Sequence, residues 1–233
     1  MLLTPKRSDK KEILDTEDYT EKDLEENLKD IRFWNRIFGV HALMLRYIKK
    51  IIGKYNLSKI KILDVGTGSG DIPRCIVKYL RNKNIPVKIL AIDSNPITVK
   101  IAKEYTKDYQ EIMIKKRKVQ DLSIKEKFDI VLFNLTLHHI AQNQRINILN
   151  KLYSITSKSL IVSDLNRSLY AYWTVKLLTP LLTKNYLSRH DAPLSVLKSM
   201  TKSELQNLVS ATKIKDFEIK KHMLFRNFLV AYH

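Results

Sequence analysis

The sequence has a single cysteine, Cys75, and it lacks any apolar run of the roughly eighteen residues needed to span a bilayer. One cysteine excludes an internal disulfide and a cysteine-based metal cluster, and it fits a reducing compartment. Residues 1–8 do not contain the apolar core of a signal peptide. We therefore expect a soluble cytoplasmic protein, whose 233 residues, 44% of them hydrophobic, suffice for one well-packed domain.

Acidic residues are few, 24 against 42 Lys and Arg, and the formal net charge is +18. Such an excess usually indicates a nucleic acid or an anionic membrane as partner. Here the basic residues are mostly lysine and are spread along the chain with many Asn and Ile, as an AT-rich genome would produce. Only residues 115–118 form a compact basic cluster, either a solvated strand edge or a phosphate contact. Charge alone does not make nucleic acid the expected partner.

Only five glycines are present, and three of them, Gly66, Gly68 and Gly70, alternate directly after an apolar run. This pattern predicts a strand, a tight loop and a helix start, where free backbone N–H groups can hold a nucleotide-like ligand. The spacing differs from the GxGxxG dinucleotide fingerprint. The next predicted strand ends at Asp93, about twenty residues further on, where a carboxylate can bind ribose hydroxyls.

Four segments in this order resemble the motifs of class I S-adenosylmethionine-dependent methyltransferases: residues 64–70, 91–96, 119–122 and 128–134. The similarity covers about residues 60–165, and residues 135–140 are most similar to the small-molecule branch that includes the quinone C-methyltransferases.

The apolar periodicity predicts a doubly wound α/β sheet in which strands and helices alternate. It also predicts two helices over residues 21–56 and a loose arm over residues 1–20. The resemblance implies a seven-stranded Rossmann-like sheet with an antiparallel last strand and a helical cap over residues 166–212. Within that cap we expect an aromatic helix near residues 168–183, a polar loop at 189–195 and a helix that starts near Thr201. Residues 21–233 are thus expected to form one methyltransferase domain.

The resemblance implies S-adenosylmethionine as cofactor, with Asp93 on the ribose, Asp121 on the adenine amine, and Ser94 and Leu122 beside the adenine ring. Alternative roles are a loop anchor for Asp64 and a turn residue for Asp121. The predicted cofactor-binding residues are Arg36, Asp64, Gly66, Thr67, Gly68, Gly70, Asp93, Ser94, Gln120, Asp121, Leu122 and Asn134.

Asn134 ends the fourth strand, where relatives face the reactive methyl group. Enzymes that methylate base amines carry an Asn/Asp-Pro-Pro-aromatic set there, so the Leu-Thr-Leu that follows Asn134 disfavours that chemistry. His138 and His139 come next as candidate catalytic bases, one taking a proton and the other structural.

His190 is a third candidate base, next to Asp191 in the cap, although a salt-bridged loop is an equal alternative. The same segment resembles bacterial methyltransferases related to the quinone enzymes and implies a phenolic or polyketide acceptor. The predicted acceptor-binding residues are Asn134, His139, Tyr170, Trp173, Arg189 and His190.

No metal is expected, because Asn134 stands where a magnesium-dependent enzyme needs an acidic partner for Asp164 and Asn166. The leading hypothesis is methylation of a small aromatic or lipophilic hydroxylated molecule, phenolic or quinone-like, with oxygen favoured. RNA or protein methylation and a non-catalytic cofactor-binding module are the alternatives. The aromatic cap helix also permits peripheral membrane contact, or it packs as a buried lid.

Overall fold

The computed structural model describes residues 4–16, 18–222 and 225–233. Two amphipathic helices, α1 (Glu21–Ile37) and α2 (Val40–Tyr55), come first. The Thr20 hydroxyl accepts a hydrogen bond from the Asp23 N–H, and the Asp23 carboxylate accepts one from the Thr20 N–H, so a capping box begins α1. Gly39, at φ 63°, separates the two helices.

The core is a seven-stranded sheet in the order β3-β2-β1-β4-β5-β7-β6, in which β7 runs antiparallel to both of its neighbours. The strands are β1 (Ile60–Val65), β2 (Val87–Asp93), β3 (Ile112–Lys116), β4 (Phe128–Asn134), β5 (Thr156–Leu165), β6 (Asp216–His222) and β7 (Arg226–Tyr232). The intervening helices are α3 (Asp71–Arg81), α4 (Pro96–Thr106) and α5 (Arg145–Ile155).

This architecture confirms the predicted fold class. Strand order reverses at β1, which pairs with β2 on one side and β4 on the other. In open α/β sheets such a reversal leaves a crevice at the carboxyl ends of the strands, where ligands bind. The turn between β6 and β7 falls partly on residues 223–224, which lie outside the described residues.

Three helices between β5 and β6 form the cap: α6 (Leu169–Leu182), α7 (Tyr186–Lys198) and α8 (Lys202–Ser210). The capping box of Thr201 and Glu204 is confirmed. The loop expected at residues 189–195 is wrong, because α7 is continuous and contains Pro193 in its interior. Asn185 caps this helix by accepting a hydrogen bond from the Ser188 N–H.

The expected loose arm is also wrong for residues 4–16, which pack on α7. The Asp191 carboxylate accepts hydrogen bonds from the backbone N–H groups of Ile13 (2.9 Å) and Leu14 (3.0 Å). The Ser8 N–H donates to the Leu197 carbonyl. Leu14 also packs against a small apolar cluster of Leu24, Leu28 and Ile101. Because isolated contacts and not a continuous apolar face hold this segment, its sequence shows no hydrophobic period. Residues 1–3 and 17 lie outside the described residues.

Several large apolar side chains of α6 point to solvent, so this face is not the buried lid that the sequence left open as an alternative. The exposed side chains are Tyr170, Trp173, Leu177, Leu178, Leu181 and Leu182. Within the described ranges, every helix is too short or too polar to cross a membrane.

Candidate active site

A cavity of about 690 Å³ lies at the carboxyl ends of the central strands. The glycine loop after β1 and Asp93 line one part of it, and Glu12 and His139 line another. Residues of α1, α6 and α7 complete the wall. The cavity therefore connects the sheet edge, the N-terminal segment and the cap.

The glycine loop requires glycine for two separate reasons. Gly66 and Gly68 have φ values of 72° and 55°, in the region that side chains rarely adopt. A Cβ at Gly66 would also overlap the Thr136 hydroxyl, whereas a Cβ at Gly68 would meet only Leu28, at 3.5 Å. Helix α3 begins directly after this loop, and a helix N-terminus favours anionic groups of a ligand.

Asp93 ends β2 and holds the loop in place. Its carboxylate accepts hydrogen bonds from the backbone N–H groups of Gly68 (3.2 Å) and Asn95 (3.1 Å). Burial raises the pKa of Asp93 even though these hydrogen bonds act in the opposite direction. A carboxylate at the edge of the cavity with both oxygens oriented by the backbone is well placed to accept hydrogen bonds from vicinal hydroxyls.

Two buried carboxyl groups behind the loop differ in charge state. Burial, together with the charges of Asp71 and Asp93, raises the pKa of Asp64 to about 7. Burial also acts to raise the pKa of Asp71, but hydrogen bonds from His41 Nε2 (2.7 Å) and Asn35 Nδ2 (3.1 Å) outweigh it and lower that pKa. The site therefore holds one fixed anion beside a carboxyl group that titrates near neutrality.

Arg226 brings a buried positive charge to the same cavity. Its guanidinium donates to the side-chain carbonyls of Asn134 (3.2 Å) and Asn35 (3.0 Å). Burial lowers the pKa of Arg226 to about 10, so the group stays protonated near neutrality. A desolvated guanidinium is suited to pairing with a carboxylate in two-point geometry.

His138 and His139 stand side by side after β4, with ring centroids 4.2 Å apart. Nδ1 of His138 lies 2.7 Å from Asp164, whose other carboxylate oxygen accepts the His138 backbone N–H. Nδ1 of His139 lies 2.9 Å from Asp15. Burial alone would lower the pKa of His139, but the hydrogen bond to Asp15 and the charges of Glu12 and Asp15 raise it.

Glu12 and Lys198 complete what we call the histidine cluster, defined as Glu12, Asp15, His138, His139 and Lys198. Lys198 Nζ lies 2.8 Å from an Asp15 oxygen and 3.2 Å from Glu12 Oε1. Glu12 is only 2% exposed. A segment that precedes the first helix thus supplies two carboxylates to the wall of the cavity.

Residues 62–159 match the protein-family model described as a methyltransferase domain. Residues 62–159 are therefore a methyltransferase domain, and together with the strand order and the glycine loop this match identifies an S-adenosylmethionine-dependent methyltransferase.

Three curated proteins with similar sequences are named as methyltransferases. A ribosomal protein L11 methyltransferase of Caldicellulosiruptor bescii is 36% identical over 46% of this chain and 33% of its own length. Ubiquinone biosynthesis O-methyltransferases of Rickettsia akari and Rickettsia prowazekii are each 28% identical. These matches cover 60% and 81% of this chain, and 57% and 75% of the respective relative. The chain thus spans a third of the first relative and less than two thirds of the second.

Among solved structures, the plantazolicin methyltransferase BpumL is similar with a TM-score of 0.67 and 13% identity, over 91% of this chain and 98% of that one. Magnesium protoporphyrin IX methyltransferase from Synechocystis PCC 6803 is also similar, with a TM-score of 0.59 and 14% identity, over 91% of this chain and 97% of that one. At such low identity these similarities establish the shared fold of this methyltransferase and nothing about its acceptor.

Most of the residues predicted for the site meet at the cavity, although their roles stay predictions. Those that line it are Asp64, Gly66, Thr67, Gly68, Asp93, Ser94, Gln120, Asn134, His138 and His139.

The remaining predicted cofactor residues lie outside the lining. Asp121 is exposed on a short 3₁₀ helix, and Leu122 packs in the core beneath the sheet. Gly70 ends the loop, where a Cβ would meet Thr106 at 2.9 Å. Arg36 is exposed on α1, and the neighbouring Asn35 faces the cavity instead.

The cap residues predicted to bind the acceptor also lie away from the cavity. Tyr170 and Trp173 are on the exposed face of α6. Arg189 donates to backbone carbonyls at the end of α6, including that of Pro180 (2.9 Å). The His190 side chain is 53% exposed and contacts Asp191. Because α7 is helical where a loop was expected, its other face, with Ala192 and Ser195, lines the cavity.

Sequence reasoning missed Glu12, Asp15, Asp71, Lys198 and Arg226 as residues of the site. Arg226 had a signal, since it is the one charged residue of the mostly apolar strand β7. Glu12 and Asp15 had none, because their segment lacks periodicity and its contacts are distant in the chain.

Proposed function

We propose that this methyltransferase binds S-adenosylmethionine at the glycine loop and transfers its methyl group to a hydroxyl oxygen of a small lipophilic or aromatic acceptor. One observation carries the proposal: a single cavity joins the glycine loop and Asp93 to the histidine cluster. Donor and acceptor bound at these two parts would share one space. Positioning of this kind supplies on the order of 7–11 kcal/mol of a barrier.

For the cofactor, Asp93 would accept hydrogen bonds from the ribose hydroxyls, and the loop would pass along the sulfonium arm. Arg226, and not the exposed Arg36, would pair with the cofactor carboxylate. Asp64 would meet the amino group of the cofactor in its ionised form. The buried positive charge of Arg226 and the carboxyl group of Asp64, which titrates near neutrality, support this placement of the cofactor's carboxylate and amino groups.

In the transfer, the acceptor oxygen forms a bond to the methyl carbon while the carbon–sulfur bond breaks and its electron pair stays on sulfur. The hydroxyl proton leaves to the histidine cluster. Asp15 holds His139 in the tautomer whose Nε2 can accept that proton. His138, almost fully buried and bound twice by Asp164, serves to position its neighbour.

The cavity lining favours a lipophilic acceptor, because apolar side chains of α1 and α6 contribute to it: Leu28, Ile31, Trp34, Val175 and the partly exposed Leu178. The similarity to ubiquinone biosynthesis O-methyltransferases supports oxygen as the methylated atom and a phenolic or quinone-like ring as the acceptor.

A second candidate is methylation of a protein or of RNA. The net charge of +18 and the similarity to a ribosomal protein methyltransferase favour it. That similarity covers only 46% of this chain, whereas the match to the Rickettsia prowazekii enzyme covers 81%. A small acceptor therefore remains the first choice.

The test supplies the purified protein with methyl-labelled S-adenosylmethionine and an extract of the source cell, then counts label in organic-soluble, RNA and protein fractions. Asp93→Ala is the loss variant, and Asp121→Ala is its matched control because Asp121 lies outside the cavity. Organic-soluble label that disappears only in Asp93→Ala supports the proposal. Label in protein or RNA would refute the proposal and support the second candidate function. Cofactor binding without any labelled product would indicate a regulatory module.

A further inference from the structure

Three potential metal ligands converge within the histidine cluster. Nε2 of His138 lies 3.9 Å from one Glu12 oxygen, and Nε2 of His139 lies 3.8 Å from the other. One ligand atom from each of these three residues lies within 4.8 Å of the other two. All three residues line the cavity.

The tautomers of the two histidines are fixed from behind. Asp164 and Asp15 accept the Nδ1–H of His138 and His139, so each neutral ring directs the lone pair of Nε2 towards Glu12. Lone pairs aimed at a carboxylate repel it unless protons or a metal ion lie between them. A carboxylate behind each ligating imidazole is the usual support of a metal-bound histidine.

Glu12 supplies an independent observation. Its carboxylate is buried, and its Oε1 atom pairs with the Lys198 ammonium at 3.2 Å. One ammonium that is shared with Asp15 leaves the other acceptor positions of the Glu12 carboxylate available on the side of the two imidazoles.

The charges of the contacting groups also favour a cation. Glu12, Asp15 and Asp164 are three carboxylates, against which the cluster sets one ammonium, that of Lys198. These three carboxylates and one ammonium surround the two imidazoles, and this excess of negative charge would attract a cation.

We propose that Glu12, His138 and His139 bind a divalent transition-metal ion of the Zn²⁺ type, for which imidazole nitrogen and carboxylate oxygen are suitable ligands. Ligands of tetrahedral zinc lie about 3.4 Å apart, so small side-chain movements would close the site. Three protein ligands leave a position open to the cavity. Resting on the proposed function, this assigns that position to the acceptor oxygen, which would bind the ion after its proton has left to water, because Nε2 of His139 would then hold the ion and could not accept the proton.

The expectation that no metal is bound concerned Asp164 and Asn166 as ligands. In the proposed site Asp164 supports His138 from behind and is not itself a ligand. The sequence could not indicate the site because Glu12 and the histidines are separated by more than a hundred residues.

The test titrates chelator-treated, full-length protein with Zn²⁺ against a chromophoric chelator and repeats the titration with Co²⁺, whose visible absorption reports ligand geometry. The variants are Glu12→Gln and His139→Asn, with Asp15→Asn for the supporting carboxylate. His190→Asn is the matched control, because His190 also pairs with an aspartate but lies outside the cavity. Thermal unfolding confirms that each variant is folded.

We expect one equivalent of tightly bound Zn²⁺ in the wild-type protein and in His190→Asn. Loss of a ligand in Glu12→Gln or His139→Asn should weaken binding by at least about 100-fold, and Asp15→Asn by about 10- to 100-fold. Equal binding in all variants, or none in the wild-type protein, would overturn the proposal and leave protons as the balancing charge. Binding of S-adenosylhomocysteine, measured separately, tests the proposed function, so the two failures can be told apart.

Discussion

Asp64→Asn should make the stability of the protein less dependent on pH. The substitution keeps the shape of the side chain and removes the only charge that it can carry. In the folded protein the pKa of Asp64 is about 7, whereas the ordinary value is 3.8. Between these two values the folded state binds a proton that the unfolded state has lost, so the contribution of Asp64 to stability falls as pH rises.

The size of this effect follows from the same two pKa values. One pKa unit corresponds to about 1.4 kcal/mol, so the full cost of ionising Asp64 is on the order of 4 kcal/mol, and it is complete above pH 7. The variant, which has no charge to desolvate, should gain stability over the wild-type protein progressively between pH 5 and pH 8. Other titrating groups are common to both proteins and largely cancel in the comparison.

The assay is urea denaturation of both proteins at pH 5, 6, 7 and 8, read as the difference in free energy of unfolding. A difference that stays constant across this range would refute the reasoning, because it would mean that Asp64 titrates normally. In addition, binding of S-adenosylhomocysteine should tighten through pH 7 in the wild-type protein, since an ionised Asp64 would meet the ligand's amino group. This dependence should be absent in the variant.

Arg226→Met should weaken S-adenosylhomocysteine binding by about 10- to 100-fold, because it removes a charged hydrogen bond to the ligand. The control variant Arg36→Met should leave the affinity unchanged. If calorimetry gives equal affinities for the wild-type protein and Arg226→Met, Arg226 does not bind the cofactor. Gly68→Ala should lower the free energy of unfolding by about 1–2 kcal/mol, because alanine disfavours the positive φ of this residue. Gly66→Ala should lower it by more, because its Cβ would also overlap the Thr136 hydroxyl. Urea denaturation measures both values, and a smaller loss for Gly66→Ala would contradict this expectation. Trp173→Ala should reduce flotation of the protein with anionic vesicles. It should leave the midpoint of thermal unfolding unchanged, because Trp173 is a half-exposed residue of α6. If the wild-type protein does not float, this face does not contact membranes.

The order of strands and helices could be predicted because it depends on local patterns. Apolar runs that alternate with helical periods encode the sheet, and the three glycines mark the loop after β1 whatever surrounds them. The cap was harder to predict. Pro193 and the polar residues around it read as a loop, yet α7 forms because Asn185 caps it and Asp191 binds the N-terminal segment. Such contacts between distant segments leave no periodic signal.

The same contrast between local patterns and contacts of distant segments applies to the candidate site. The proposed cofactor side is mostly built by residues 60–134, which are nearly contiguous and overlap the segment that matches the methyltransferase domain. The proposed acceptor side takes Glu12 and Asp15 from the N-terminal segment and Lys198 from the cap, all outside that match.

This division explains why family membership was evident from the sequence while the acceptor was not. Motifs that bind a common cofactor lie close together in the chain and can be recognised one by one. An acceptor pocket whose residues come from the N-terminal segment and from the cap is formed only in the folded chain, so no local sequence motif reveals it. If the histidine cluster determines the acceptor, changes at Glu12 or Asp15 should alter which molecule is methylated and leave cofactor affinity intact, because neither residue belongs to the group that surrounds the glycine loop.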